Sequence, residues 1–191
     1  MEGLSEFAAA FILVALLELG DKTQLLLISL ATKHPPLPLI AGAAIGETAV
    51  TAIGVGIGVA IIAVVPVLAL KLVSGALFIA VGVWNLVAKD EKAEAKEEKA
   101  RNPFLTAIGL SFLAELGDKT MLAVIALSGS LGAPVSVFAG GSLGLIVIAV
   151  LSVALGRVLK RYVTARWLRY LSAALFIAAG VIAIVEALWS G

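Results

Sequence analysis

The sequence has no cysteine and a single histidine. Disulfides, thiolate nucleophiles and thiolate or histidine zinc sites are thereby excluded together, so any chemistry here uses oxygen donors and ammonium groups. Charge is scarce too. Only 14% of the 191 residues are charged and 61% are hydrophobic, whereas an ordinary soluble domain carries about 25% charged residues. The mean hydropathy of +1.12 excludes a water-soluble globule. With a net charge of +1 there is no excess of either sign to hold nucleic acid. The stretch Met1-Glu2-Gly3-Leu4-Ser5-Glu6 lacks the basic region of a cleaved signal, so the first apolar run is expected to persist in the mature protein. Short alternating segments of the kind that build a membrane β-barrel are missing as well.

What is present is hydrophobic length. Crossing about 30 Å of hydrocarbon takes roughly 20 mainly apolar residues. Six such segments fill the chain: Glu6 to Thr32, Leu37 to Val64, Val67 to Ala88, Pro103 to Leu127, Pro134 to Leu159 and Trp167 to Trp189. They predict an all-α polytopic membrane protein with six transmembrane helices in one integral domain. Its basic residues are lopsided. Lys33, the run Lys89, Lys92, Lys96, Lys99 and Arg101, and the group Arg157, Lys160, Arg161, Arg166 and Arg169 fall on one side, while the other side holds only Lys71. By the positive-inside rule the charged linker 89–102 is expected in the cytoplasm and both termini outside, in a prokaryotic cell (inner) membrane. The Glu/Lys spacing of that linker reads as a solvated helical connector.

The chain also repeats itself. Glu18-Leu19-Gly20-Asp21-Lys22-Thr23 recurs as Glu115-Leu116-Gly117-Asp118-Lys119-Thr120, an offset of 97. Further along the offset becomes 98: Gly42 and Gly46 match Gly140 and Gly144, and Ala76-Leu77-Phe78-Ile79-Ala80 matches Ala174-Leu175-Phe176-Ile177-Ala178. Residues 1–88 and 103–191 therefore read as two copies of a three-helix unit. Three crossings being odd, the second copy enters the membrane from the opposite face. Inverted repeats of this kind hold a transported species near the midplane, where the halves meet. The pairs Gly42/Gly46, Gly54/Gly58 and Gly140/Gly144 are small-residue faces for close helix contact.

Each hexapeptide falls near the middle of the first segment of its repeat, where an Asp or Lys costs about 2.5–3.5 kcal/mol to insert. Four carboxylates and two lysines at that depth require either a function or an obligatory ion-pair network. Helical spacing puts Glu18, Asp21 and Lys22 on one side of the first segment. Gly20 weakens the helix there and can free carbonyls as ligands, and the inverted copy brings Glu115 and Asp118 opposite. The two motifs carry a formal charge of −2 together, complementary to a divalent cation. Hard divalent ions such as Mn2+ and Ca2+ take carboxylate, carbonyl and hydroxyl oxygens. Glu18, Asp21, Glu115 and Asp118, with Thr23, Thr120 and Gln24, offer such a shell. Protons compete for the same carboxylates, while Lys22 and Lys119 either hold the empty site open against carboxylate repulsion or serve as internal counter-ions. Glu47, whose repeat counterpart is Leu145, is a further candidate for metal binding or proton transfer, against a purely structural hydrogen bond. Ser29 and Ser111 are lesser sources of hydroxyl oxygen.

On these residues the chain resembles the Gdt family of membrane transporters for manganese and calcium, whose defining motif is Glu-x-Gly-Asp-(Lys/Arg)-(Thr/Ser). The doubled motif and its hydrophobic repeats extend the resemblance over essentially the whole chain. It implies cation/proton exchange with Mn2+ or Ca2+ as the transported ion and no resident cofactor. It also implies ligation by Glu18, Asp21, Glu115 and Asp118, supported by Thr23 and Thr120. One departure concerns Gln24, which Met121 replaces in the second copy, so an amide ligand comes from one repeat only. The competing readings are a passive cation channel and an exporter of small cationic metabolites. An enzyme is not expected, because no nucleophile stands beside a base. The expected partners are the lipid bilayer, divalent metal ions and protons.

Overall fold

The computed structural model describes residues 3–19, 21–31, 33–87, 102–162 and 165–189, without the side chains of residues 22, 25, 67, 85, 155–162, 165–169, 171, 172 and 175. Nearly all of the charged linker, the Lys22 side chain and the basic side chains from Arg157 to Arg169 lie outside the described residues. Every described element is an α-helix: α1 (Leu4–Glu18), α2 (Lys22–Ala31), α3 (Pro36–Ile62), α4 (Val67–Val87), α5 (Pro103–Glu115), α6 (Lys119–Leu131), α7 (Pro134–Tyr162) and α8 (Ala165–Trp189). Their outer limits follow the expected segments because the stop and start signals are local. Pro36 and Pro103 open α3 and α5 where a missing N–H costs nothing, and the Asn102 side chain caps α5 by accepting from the N–H groups of Phe104 and Leu105 at 3.1 and 3.3 Å. Gly132, at φ +66°, ends α6. Among the described residues, two helical stretches, Pro36–Ile62 and Pro134–Ala154, are long and apolar enough to cross a membrane.

The first and fourth expected segments are each broken in two, which corrects the expectation of continuous helices there. Leu19 and Leu116 leave the helix in the same extended conformation, at φ −62°, ψ 115° and φ −66°, ψ 113°. The same turn follows in each. Leu19 N–H bonds Ala15 O and Asp21 N–H bonds Glu18 O, just as Leu116 bonds Phe112 and Asp118 bonds Glu115. The cause lies within the motif: Gly117 takes φ +77°, and Asp118 is the N-cap of α6. Glycine and aspartate are both poor in helix interiors and favoured at ends.

The halves pack reciprocally, as in an isologous pair. α1 packs against α7 and α5 against α3, α3 and α7 pack against each other, and α4 packs against α8. Glycines set how closely the helices approach. Gly42 and Gly46 on α3 face the carbonyl oxygens of Phe104 and Ile108 on α5; Gly140 and Gly144 on α7 face those of Phe7 and Phe11 on α1, the repeat equivalents. Gly82 faces Ala173 O while Gly180 faces Gly75 O, and Phe78 packs edge-on against its own counterpart Phe176 with ring centroids 5.6 Å apart. Around this frame Val14, Leu17, Val124, Leu127, Leu145 and Phe176 form one buried core, and Leu27, Leu39, Ala43, Ala107, Ala149 and Val153 a second. Gly56 and Gly109 are different, since an added Cβ meets nothing within 4 Å at either. Gly56→Ala and Gly109→Ala are expected to leave the unfolding midpoint in detergent unchanged or to raise it, by up to about 1 kcal/mol of helix propensity each. A lowered midpoint would place a neighbour against these positions.

Candidate functional site

The two helix breaks meet. Glu18 at the end of α1, Asp21 in the α1–α2 turn and Glu115 at the end of α5 each bring a carboxylate oxygen to within 4.8 Å of the others. Glu18 and Glu115 are buried, and Asp21 is half-buried. At the site, among the described residues, two side-chain bonds join the repeats: Thr23 Oγ1 donates to Glu115 Oε1 at 2.8 Å, and Lys119 Nζ donates to Asp21 Oδ1 at 2.5 Å as an ion pair. Three carboxylates thus face one described ammonium. Both oxygens of Glu18, Oδ2 of Asp21 and Oε2 of Glu115 are buried with no hydrogen-bond partner. Buried charged oxygens without partners are costly, and a bound cation satisfies several of them at once. The arrangement is therefore suited to a small, hard cation.

The expected site residues fall into place unevenly. Glu18, Asp21 and Glu115 converge, but not along one helix face as spacing suggested, because the break carries Asp21 into a turn. Lys119 reaches the acid of the other repeat, a pairing that neighbour rules within a single helix do not anticipate. Asp118 stands outside the three-carboxylate group, within electrostatic range of Glu115 and Lys119. Thr120 and Gln24 are buried on α6 and α2, and Thr120 Oγ1 has no hydrogen-bond partner. The backbone oxygens of Glu18 and Glu115 accept the Asp21 and Asp118 N–H groups at 3.1 Å. Glu47, on α3 and 1% exposed, lies within electrostatic range of Glu18 and Glu115, with one carboxylate oxygen unpartnered. Ser111, one turn before Glu115, keeps a buried unpartnered hydroxyl, as does Ser142 on α7. Ser142 is not distinguishable from the sequence. Its only signal is a hydroxyl beside Gly140-Gly141 in an otherwise apolar run.

The family profile described as "Divalent cation/proton antiporter GDT1" matches residues 6–93 and again 103–190. The chain belongs to the GDT1 family. The two GDT1 matches coincide with the two repeats, α1–α4 and α5–α8. A protein of Vibrio cholerae named "Putative manganese exporter" is 31% identical over 177 residues, covering 91% of this chain and 88% of that protein. A GDT1-like protein of Synechocystis is 32% identical over 175 residues, 81% of this chain and 84% of that protein. A chloroplastic protein of Arabidopsis thaliana named PAM71-homolog is 29% identical over 213 residues, 91% of this chain and 57% of that protein. No solved structure matches the chain. GDT1 membership makes the protein a transporter and not an enzyme, with divalent cations and protons as the transported species.

Proposed function

We propose that this protein exchanges Mn2+ or Ca2+ for protons by alternating access, with the ion held where the two helix breaks meet. The observation that carries the reading is the convergence of Glu18, Asp21 and Glu115, drawn from both repeats, with partnerless oxygens turned toward one another. Glu18, Asp21 and Glu115 then bind the ion directly. Asp118, Thr23, Thr120 and Gln24 complete its surroundings, and Glu47 stands behind Glu18 and Glu115. Lys119 holds Asp21 while the site is empty and gives way to the metal, and Lys22 has the equivalent part in the first motif. Because protons and the metal seek the same oxygens, loading one expels the other. The name of the Vibrio relative favours Mn2+. Oxygens gathered within 4.8 Å suit a bare metal ion better than a bulky organic cation, which weighs against export of cationic metabolites.

The membrane arrangement belongs to the same proposal. α1 and α2, of 15 and 10 residues, span roughly 22 and 15 Å. Neither alone covers about 30 Å of hydrocarbon, so the pair makes one crossing in two pieces, as α5 and α6 do. Six crossings in two inverted repeats follow, with both termini outside and the linker 89–102 in the cytoplasm of a prokaryotic cell. The test is uphill movement. In proteoliposomes with voltage clamped by ionophore, a pH step alone is expected to accumulate Mn2+ or Ca2+ above equilibrium and to reverse its direction when the step is reversed. Flow only down the metal gradient, with pH merely scaling its rate, would make the protein a channel.

A further inference from the structure

The two halves share one frame but not one lining. Glu47 and Thr51 on α3 and Ser111 on α5 have Leu145 and Ala149 on α7 and Val14 on α1 as their repeat equivalents. All six are at most 2% exposed. The second half therefore makes the same glycine-to-carbonyl helix approach with apolar side chains alone, so packing does not account for an acid and a hydroxyl in the first. Both are costly there. Glu47 Oε2 and Ser111 Oγ are buried with no hydrogen-bond partner, a penalty that apolar residues of similar size avoid.

Position gives the pair its meaning. α3 and α5 run side by side in the same direction, with Gly42 against Phe104 and Gly46 against Ile108, and a Cβ at Gly46 would lie 3.2 Å from the Ser111 Cβ. Ser111 thus abuts the residue before Glu47. It also stands four residues before Glu115, on the same side of α5 and roughly 6 Å nearer the Pro103 end. Glu47 in turn lies within electrostatic range of Glu115 and Glu18. Oxygens therefore lead from the three-carboxylate cluster toward the end of the molecule where α3 and α5 begin. Toward the start of α1 the equivalent step from Glu18 meets Val14 and Leu145, both part of the apolar core.

We infer that Glu47 and Ser111 form an approach station for hard divalent cations, a second oxygen-donor position on the route between the cluster and the face where α3 and α5 begin, without a counterpart toward the opposite face. A carboxylate and a hydroxyl suit such an ion. They let it trade water for protein oxygen in stages, and a carboxylate beside the route raises the local cation concentration and the rate of arrival. The station is on the path and not in the final site. It therefore sets how fast an ion reaches or leaves the cluster through one face, and leaves the affinity of the cluster itself alone. The inference rests on the transport reading of that cluster. In the expected topology the favoured face is the cytoplasmic one.

The test is Mn2+ uptake at low concentration, measured in right-side-out and in everted membrane vesicles. A cysteine at His34, in the loop where α3 begins, identifies the face with an impermeant thiol reagent, since the native chain has no cysteine. Glu47→Leu combined with Ser111→Val installs the side chains of the other half, so folded protein is expected; Glu47→Gln, which removes only the charge, carries the test on its own if the double variant is not recovered. Uptake from the His34 face should fall about tenfold, as when a group just outside a metal's direct ligands is lost. Uptake from the opposite face should be unchanged, as should equilibrium Mn2+ binding to the purified protein and the accumulation driven by a fixed pH step. Equal loss from both faces, loss confined to the opposite face, or no loss from either overturns the inference. So does a changed accumulation at fixed pH step, which would make Glu47 a proton-coupling residue. Absence of uphill Mn2+ movement by the unmodified protein would instead overturn the exchange reading, while downhill uptake compared between the two faces still decides whether the station exists.

Discussion

Glu18→Gln and Glu115→Gln are each expected to abolish divalent-cation transport while leaving the protein folded and inserted. Both carboxylates are buried, and both leave oxygens unpartnered toward the cluster. An amide removes a charged donor from the ion yet costs less to bury than a carboxylate. At Glu115 the amide oxygen still accepts from Thr23, so the cross-repeat bond survives and the loss falls on the metal. Metal affinity should drop by more than about 100-fold, beyond what loss of a supporting outer group costs. Asp21→Asn should abolish transport as well but should also lower stability, because it removes the partner of the Lys119 ammonium. The checks are Mn2+ flux into proteoliposomes, equilibrium metal binding and the unfolding midpoint of the same preparations. Transport at the normal rate by Glu115→Gln would remove that residue from the essential ligands.

Gly42→Leu and Gly140→Leu are expected to prevent recovery of folded protein. A Cβ at Gly42 runs into the carbonyl oxygen of Phe104 and comes within 2.8 Å of the Ala107 Cβ; a Cβ at Gly140 runs into the carbonyl oxygen of Phe7 and lies 3.1 Å from the Phe11 nitrogen. The obstacle in each case is helix backbone, which has no alternative rotamer. Overpacking costs roughly 1–3 kcal/mol even where side chains can yield, so here the helices must part. The separation reaches the site, because α5 ends in Glu115 and α1 in Glu18. Size-exclusion profiles in mild detergent should show aggregated or absent protein for both variants. Wild-type yield and midpoint for either would show that the α3–α5 or α1–α7 approach is looser than described.

Helix extents were readable from the sequence because their punctuation is local. Pro35-Pro36, Asn102-Pro103 and Gly132 to Pro134 bracket apolar runs, and α3, α5 and α7 begin where those residues say. The breaks at Leu19 and Leu116 were not readable as breaks. They interrupt runs whose hydrophobicity is continuous, and the preferences of glycine and aspartate that decide them are small beside the apolar length on either side. Duplication pointed to Glu18 and Glu115 together, and their carboxylate oxygens come within 4.8 Å of each other. The reach of Lys119 to Asp21 was hidden, since spacing rules speak only of neighbours along one helix. The contrast between Thr23 and Thr120 was hidden more completely: two identical hexapeptides have no means of declaring different partners.

Placement of the cluster between a 15-residue and a 10-residue helix has an electrical consequence. An ion arriving from either face crosses part of the membrane voltage before it binds, and the whole drop is worth about 2.3 kcal/mol per elementary charge per 100 mV. A doubly charged ion feels that field twice over. Occupancy is then governed by the resting potential as well as by concentration. An inside-negative potential draws divalent cations from the outer face toward the acids and resists their discharge by the same route.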